Sequence, residues 1–339
     1  MSTTNRLLAL IVFVACALPM SCLGNPTKAP AANTTKSELF RVHATAATIA
    51  FSPDGTKLAF GRNEQQTRGN DVFDISVFDI ARHRRTFYGI DTFGSDGRTA
   101  WIDSRRLISA TTTPDGDPGS LVIWNTRSRQ KQTVRGSMPA GPWSVSVVGS
   151  TALSAGYSPD TGASVLYVIN TTTGELIKTR KLIGQANTAV FPDAKAIVLS
   201  EGRRVRVLAW PSMTELRRVT LHDDVVCVTI ARKARSIFVL AGHRIYSLRS
   251  GDLSVVGPPT LVEESITDTL ESPDGKSLFG ISAAGTRGIV LWVDTKGRLG
   301  GLRAISGAVP RAYSHDGKRV AEATRSGDIV VRPITNLGN

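Results

Sequence analysis

The segment FSPDGTKLAF, residues 51–60, returns as ESPDGKSLFG at 271–280 and as YSHDGKRVAE at 313–322. No other feature limits the fold as strongly. In each copy one apolar run ends, a Ser-Pro-Asp-Gly or Ser-His-Asp-Gly element turns the chain, and a second apolar run begins. Proline pre-sets φ at the second position of a turn, aspartate accepts hydrogen bonds from amides just ahead, and glycine takes the positive φ that a side chain resists. Each copy therefore predicts a tight β-hairpin.

Aligned on that turn, weaker versions stand at Trp101 (WIDSRRLISA), Val147 (VVGSTALSAG), Val190 (VFPDAKAIVLS) and Ile230 (IARKARSIFVLAG). The seven copies recur at intervals of roughly 40 to 50 residues, the period of propeller blades. Each is followed by a third β-rich run, such as SLVIWNT or GIVLWVD, and most by a turn and a fourth, such as RRTFYGI or ELIKTRKL. This pattern predicts an all-β chain, a seven-bladed β-propeller with four-stranded antiparallel blades over residues 38–334. The last copy supplies strands through DIVVRPI and stops, while ELFRVHA from Glu38 precedes the first turn with no blade of its own. That N-terminal strand is expected to complete the seventh blade and to cover edges that would otherwise stay unpaired.

Residues 1–22 predict an export signal: Arg6, an apolar run from Leu7 to Met20, then small residues. Ser21-Cys22 resembles a bacterial lipobox, which makes Cys22 a candidate lipidation site; ordinary signal cleavage and an uncleaved anchor are the alternatives. Residues 23–37 lack bulky apolar side chains after Leu23 and predict a flexible tether, and 335–339 a short tail. Beyond the signal only Cys227 remains, within the strand-like run VVCVTIA, where a buried packing role is expected.

The repeats resemble PD40-like, TolB-type and WD-repeat propellers, whose inner hairpins read FSPDGKxLAF and whose third strands end in a Trp-Asp-like pair. Trp124-Asn125 and Trp292-Val293-Asp294 approximate that pair, and both tryptophans are expected to pack between blades. The Gly-His dipeptide of WD repeats is not at its usual place; Gly242-His243 falls between second and third strands. Resemblance to the TolB type implies a propeller that holds a partner protein segment in its funnel and performs no chemistry.

The formal net charge is +13. In an antiparallel blade, first-to-second and third-to-fourth turns share one face of the disc, whereas second-to-third turns and blade crossovers share the other. The first face is expected to gather Arg82, Arg84, Arg85, Arg105, Arg106, Arg127, Arg129, Arg232 and Arg235. Candidate binding residues on the second, acidic face are Asp115, Asp117, Trp143, Asp223, Asp224, Glu263 and Glu264. A basic face suits an anionic lipid or wall polymer. Aromatic side chains do not interleave with it, which argues against nucleic acid.

No histidine pair has metal-ligand spacing and no Gly-x-Ser-x-Gly elbow occurs, so neither a catalytic residue nor a metal or cofactor is assigned. The expectation is a monomeric, exported scaffold for a protein partner, touching the membrane only through its N-terminus. The alternatives are a lactonase-like hydrolase with a divalent cation in the channel and a binder of an anionic envelope polymer.

Overall fold

The computed structural model describes residues 40–43, 46–65, 71–88, 99–111, 120–138, 140–142, 144–158, 162–231, 233, 235–262, 266–282, 287–324, 326 and 328–334. The export signal, the tether with Cys22 and the tail lie outside them. The described chain forms seven antiparallel sheets that succeed one another along the sequence.

Blade 1 comprises Ala46–Phe51, Lys57–Gln65, Asp71–Asp79 and Arg84–Tyr88, and blade 2 comprises Thr99–Trp101, Arg106–Thr111, Ser120–Asn125 and Lys131–Thr133. Blade 4 (Ala186–Val190, Ala196–Glu201, Arg204–Ala209, Glu215–Thr220) and blade 5 (Val225–Ile230, Ser236–Ala241, Arg244–Arg249, Thr260–Leu261) repeat the order. Blade 6 does so too, with Ile266–Glu271, Ser277–Ser282, Arg287–Val293 and Leu299–Ser306. Blade 7 takes three strands from the C-terminal end, Val309–Tyr313, Arg319–Ala323 and Asp328–Pro333, and its fourth from Phe40–His43. Phe40 stands opposite Val331 and His43 opposite Asp328, so the N-terminal strand closes the ring as its position in the sequence predicts.

Blade 3 departs from the repeat. Its second to fourth strands are Thr151–Ser158, Ala163–Asn170 and Glu175–Ile183, but its innermost strand comes in two pieces, Gly141–Pro142 and Ser146–Val148. The sequence places 141–142 in the blade crossover; the chain has already joined the sheet there. Pro142 has no N–H to give to the ladder. Ser144 spans the break, its amide donating to the Ala155 carbonyl at 3.3 Å and its hydroxyl accepting from the Ala155 amide at 3.2 Å.

Seven apolar clusters hold the ring, one at each seam between neighbouring blades. Because side chains alternate along a strand, Leu58 and Phe60 pack against blade 7 while Ala59 between them packs against blade 2. Both faces of a blade are thus buried, and inner strands read as continuous apolar runs rather than as alternating ones. Among the described residues the seam between blades 6 and 7 has the smallest cluster, Phe279, Val290, Tyr313 and Val320.

The recurring hairpin has one geometry. In blades 1, 6 and 7 the serine hydroxyl (Ser52, Ser272, Ser314) donates to the aspartate two residues on at 2.5–2.6 Å. The same hydroxyl accepts from the amide five residues on at 2.9 Å. Gly55, Gly275 and Gly317 have φ of 67°, 71° and 69°. Blade 4 makes the turn with Phe191 in place of serine and Ala194, at φ 55°, in place of glycine.

Candidate interaction surfaces

The channel wall is built by the innermost strands, which at four of the seven seams meet through small polar side chains. Thr48 Oγ1 lies 3.2 Å from Thr99 Oγ1, Ser146 Oγ 3.3 Å from Thr188 Oγ1, and Thr229 Oγ1 2.7 Å from Thr269 Oγ1, each pair crossing a blade seam. Asn187 Nδ2 donates to the Val226 carbonyl at 2.8 Å across a fourth seam. Cys227 is buried, its thiol 3.6 Å from Thr269 Oγ1, as a packing residue should be. This girdle of hydroxyls was not legible in the sequence, because short Thr- and Ser-containing strands look like any other β-run.

On the second face, Asp223 and Asp224 sit in the crossover from blade 4 to blade 5. Leu221 is buried at its start, and amide–carbonyl bonds tie the crossover to the adjacent turns: Leu221 N to Arg203 O at 2.8 Å, Val225 N to Gly202 O at 2.9 Å, Gly242 N to Asp224 O at 3.1 Å. The two carboxylates do not act as a pair. Asp223 accepts from Arg244 Nη1 at 2.7 Å and lies 2.9 Å from His222 Nδ1, while Asp224 approaches Arg203 Nε at 3.7 Å. The hydrogen bond from His222, aided by Arg244 and opposed by partial desolvation, holds the Asp223 carboxyl below its ordinary range. The expected acidic patch is therefore, at blades 4 and 5, a set of alternating charges. Beneath it Glu201, only 5% exposed, accepts from the Ile183 amide at 2.7 Å and faces Arg206 Nη2 at 2.8 Å. The other second-face candidates, Asp115, Asp117, Trp143, Glu263 and Glu264, lie outside the described residues, as does Arg232 of the basic set.

The first face carries the expected cations together with Lys57 and Arg319, and several of these side chains are structural. Arg319 Nη1 donates to the Gly55 carbonyl at 2.5 Å, Lys57 Nζ to that of Ser104 at 2.7 Å, and Arg106 Nη1 to that of Thr171 at 3.0 Å. These bonds stitch blade 7 to 1, 1 to 2 and 2 to 3. Arg85 lies on its own sheet, donating to Ser76 Oγ from Nε at 3.1 Å and from Nη2 at 3.0 Å, with its guanidinium 5.2 Å from the centre of the Phe60 ring. Arg82 reaches Asp79 at 3.4 Å. Arg84, Arg105, Arg127, Arg129 and Arg235 are exposed and form no side-chain hydrogen bond or ion pair among the described residues. The turn aspartates Asp54, Asp103, Asp274, Asp294 and Asp316 share this face, so the separation of charge is less complete than the loop composition predicts. Each folds its carboxylate onto amides of its own turn.

The outer rim holds features that sequence reasoning missed. In blades 3, 4 and 6 the fourth strand carries an extra residue just after its turn, breaking register with the third strand. Ile177 (58% exposed), Leu216 (50%) and Leu302 (47%) stand at these bulges. Trp292, expected to pack between blades, is 49% exposed. Its ring lies on Gly301 of the neighbouring strand, where a Cβ would fall 2.4 Å from a ring carbon. Trp124 is buried as expected, donating to Ser109 Oγ at 2.9 Å. A signal was present in the sequence: LIK, ELRR and GLR each place a large aliphatic residue before a cation at the start of a fourth strand.

No known protein family's profile matches the chain, and no curated protein matches it. Among solved structures, a chain in the crystal structure of the mitotic checkpoint complex superposes with a TM-score of 0.68 at 14% identity, over 93% of this chain and all of that one. At that identity the likeness carries the fold alone. The 1241 solved chains that match in all show how widely the architecture is shared, and such a fold does not specify a function.

Proposed function

We propose that this chain is a non-enzymatic propeller scaffold, exported and held at the cell envelope, that binds a protein partner through its second face. The observation carrying this reading is the crossover between blades 4 and 5. There Arg203, Asp224, Asp223 and Arg244 form an alternating array, the outer two of its four charges paired with the aspartates between them, on a crossover whose backbone is bonded to turns of both blades. Fixed charges of alternating sign suit a protein surface of complementary charge, where they set register and exclude wrong partners. The pairing with Arg244 at 2.7 Å speaks against general acid–base work or cation binding at Asp223, whose carboxylate already has a guanidinium neighbour. The presence of a similar fold in a multiprotein assembly, the mitotic checkpoint complex, fits this reading.

Envelope attachment rests on residues 1–22 alone. The test is growth with a labelled fatty acid: incorporation into the full chain that disappears in Cys22→Ser supports the lipid anchor, and unlabelled chain recovered from the medium overturns it. The competing hydrolase reading predicts that a divalent cation raises the melting temperature of the full chain and a chelator lowers it. The scaffold reading predicts that neither has an effect.

A further inference from the structure

The three bulged fourth strands repeat one chemical pair. In blade 3 Ile177 precedes Lys178, in blade 4 Leu216 precedes Arg217, and in blade 6 Leu302 precedes Arg303. The cations occupy one register position as well, opposite Val168, Val207 and Val290 of the third strands. The extra residue at a bulge re-aims the side chains around it. Here it leaves each aliphatic group about half exposed beside an exposed cation, and none of the three cations has a hydrogen-bond or ion-pair partner among the described residues. All three pairs follow third-to-fourth turns, so they stand at the margin of the cationic first face. Trp292 adds an exposed indole at the same level of blade 6.

We infer that this margin docks the propeller, first face down, onto an anionic phospholipid bilayer. The aliphatic side chains enter the headgroup boundary, the adjacent cations meet lipid phosphates, and the indole lies at the interface, where tryptophan is favoured. A protein partner fits less well. The apolar groups stand on three different blades rather than in one patch, whereas a protein interface concentrates its apolar residues at a packed centre. Glu215, the acid beside Leu216, lies 3.6 Å from Arg206 and 3.8 Å from Arg218, so its charge is countered within the blade. The net charge of +13 completes the complementarity to an anionic surface. This inference is independent of the second-face reading, since the two surfaces lie on opposite sides of the disc.

The test uses the full chain with vesicles of brominated phosphatidylcholine, with and without brominated phosphatidylglycerol, and reads tryptophan quenching. An N-terminal anchor alone would bring the chain to either vesicle without bringing Trp292 into the bilayer. Expected is strong quenching on the anionic vesicles only, absent in Trp292→Phe. The triple variant Lys178→Glu, Arg217→Glu, Arg303→Glu should bind at least roughly a hundredfold more weakly, from about fivefold per lost cation. The milder Leu216→Ser with Leu302→Ser guards against misfolding, and its quenching should fall while its melting curve stays that of the parent. Equal quenching on neutral and anionic vesicles, or quenching that survives both sets of changes, overturns the inference. So does one protein captured by the parent rim and lost with the triple variant while vesicles produce no quenching. A partner that still binds the second face when quenching fails would leave the scaffold proposal standing.

Discussion

At the scale of the residue, the recurring turn is a small acid-sensitive device. At Asp54 desolvation opposes the charge, but hydrogen bonds from Ser52 and Thr56, with Lys57 nearby, outweigh it and keep the carboxyl below its ordinary 3.8. Asp274 follows the same balance with Ser272 and the Lys276 amide, and Asp316 is lowered chiefly by Ser314. A depressed folded value means stabilisation that is complete above the unfolded value and lost as pH falls through the folded one. Melting curves should therefore shift down below about pH 4, and the shift should be smaller in a variant with Asp54, Asp274 and Asp316 all changed to Asn. Glu322 behaves oppositely. Burial pushes its carboxyl up against the pull of Arg332, so its contribution favours the fold at low pH and is lost as pH rises through the raised value. Ala194 occupies at φ 55° the place that glycine takes in blades 1, 6 and 7. Ala194→Gly should stabilise the chain by about 1 kcal/mol, and Gly317→Ala should destabilise it by a similar amount, both read from denaturant midpoints.

At the scale of the element, the ring depends on four residues, Phe40–His43, lying on Asp328–Pro333. Arg41 Nη1 donates to Asp328 Oδ2 at 2.9 Å, and Asp328, itself buried, also accepts from Ser326 Oγ at 2.8 Å. Arg41 is half exposed, so solvent screens part of this attraction. Asp328→Ala should cost about 1–3 kcal/mol, measured by urea unfolding. Removing residues 1–43 should cost more and expose the edge of blade 7, with aggregation seen by light scattering. Both the hairpins and this closure were legible beforehand, because Ser-Asp-Gly turn chemistry is local and an unpaired terminal strand is visible by counting. The bulges were not, since register in the fourth strand depends on what the third strand offers opposite. Trp292 was misread for a related reason: strand position assigns a face, but exposure depends on the neighbour, here Gly301, over which the ring lies without burying itself. Asp223 and Asp224 looked like part of an acidic face because Arg244, on another strand, and Arg203, in another turn, are not beside them in the sequence.

At the scale of the whole molecule, hydroxyl contacts along the channel, side-chain bonds across seams of the first face and paired charges on the second tie neighbouring blades together. The seams are unequal, and Tyr313→Ala at the thin seam between blades 6 and 7 should open the ring there first, seen as early amide exchange in 309–334. The proposed role of the second face is to hold a protein partner. The most direct measurement is crosslinking of the full chain in native envelopes, beside a variant with Arg203→Glu and Arg244→Glu that keeps the parent's melting curve. One defined protein should crosslink to the parent and be lost from the variant; recovery of the same protein at the same yield with both would contradict a partner site on the second face.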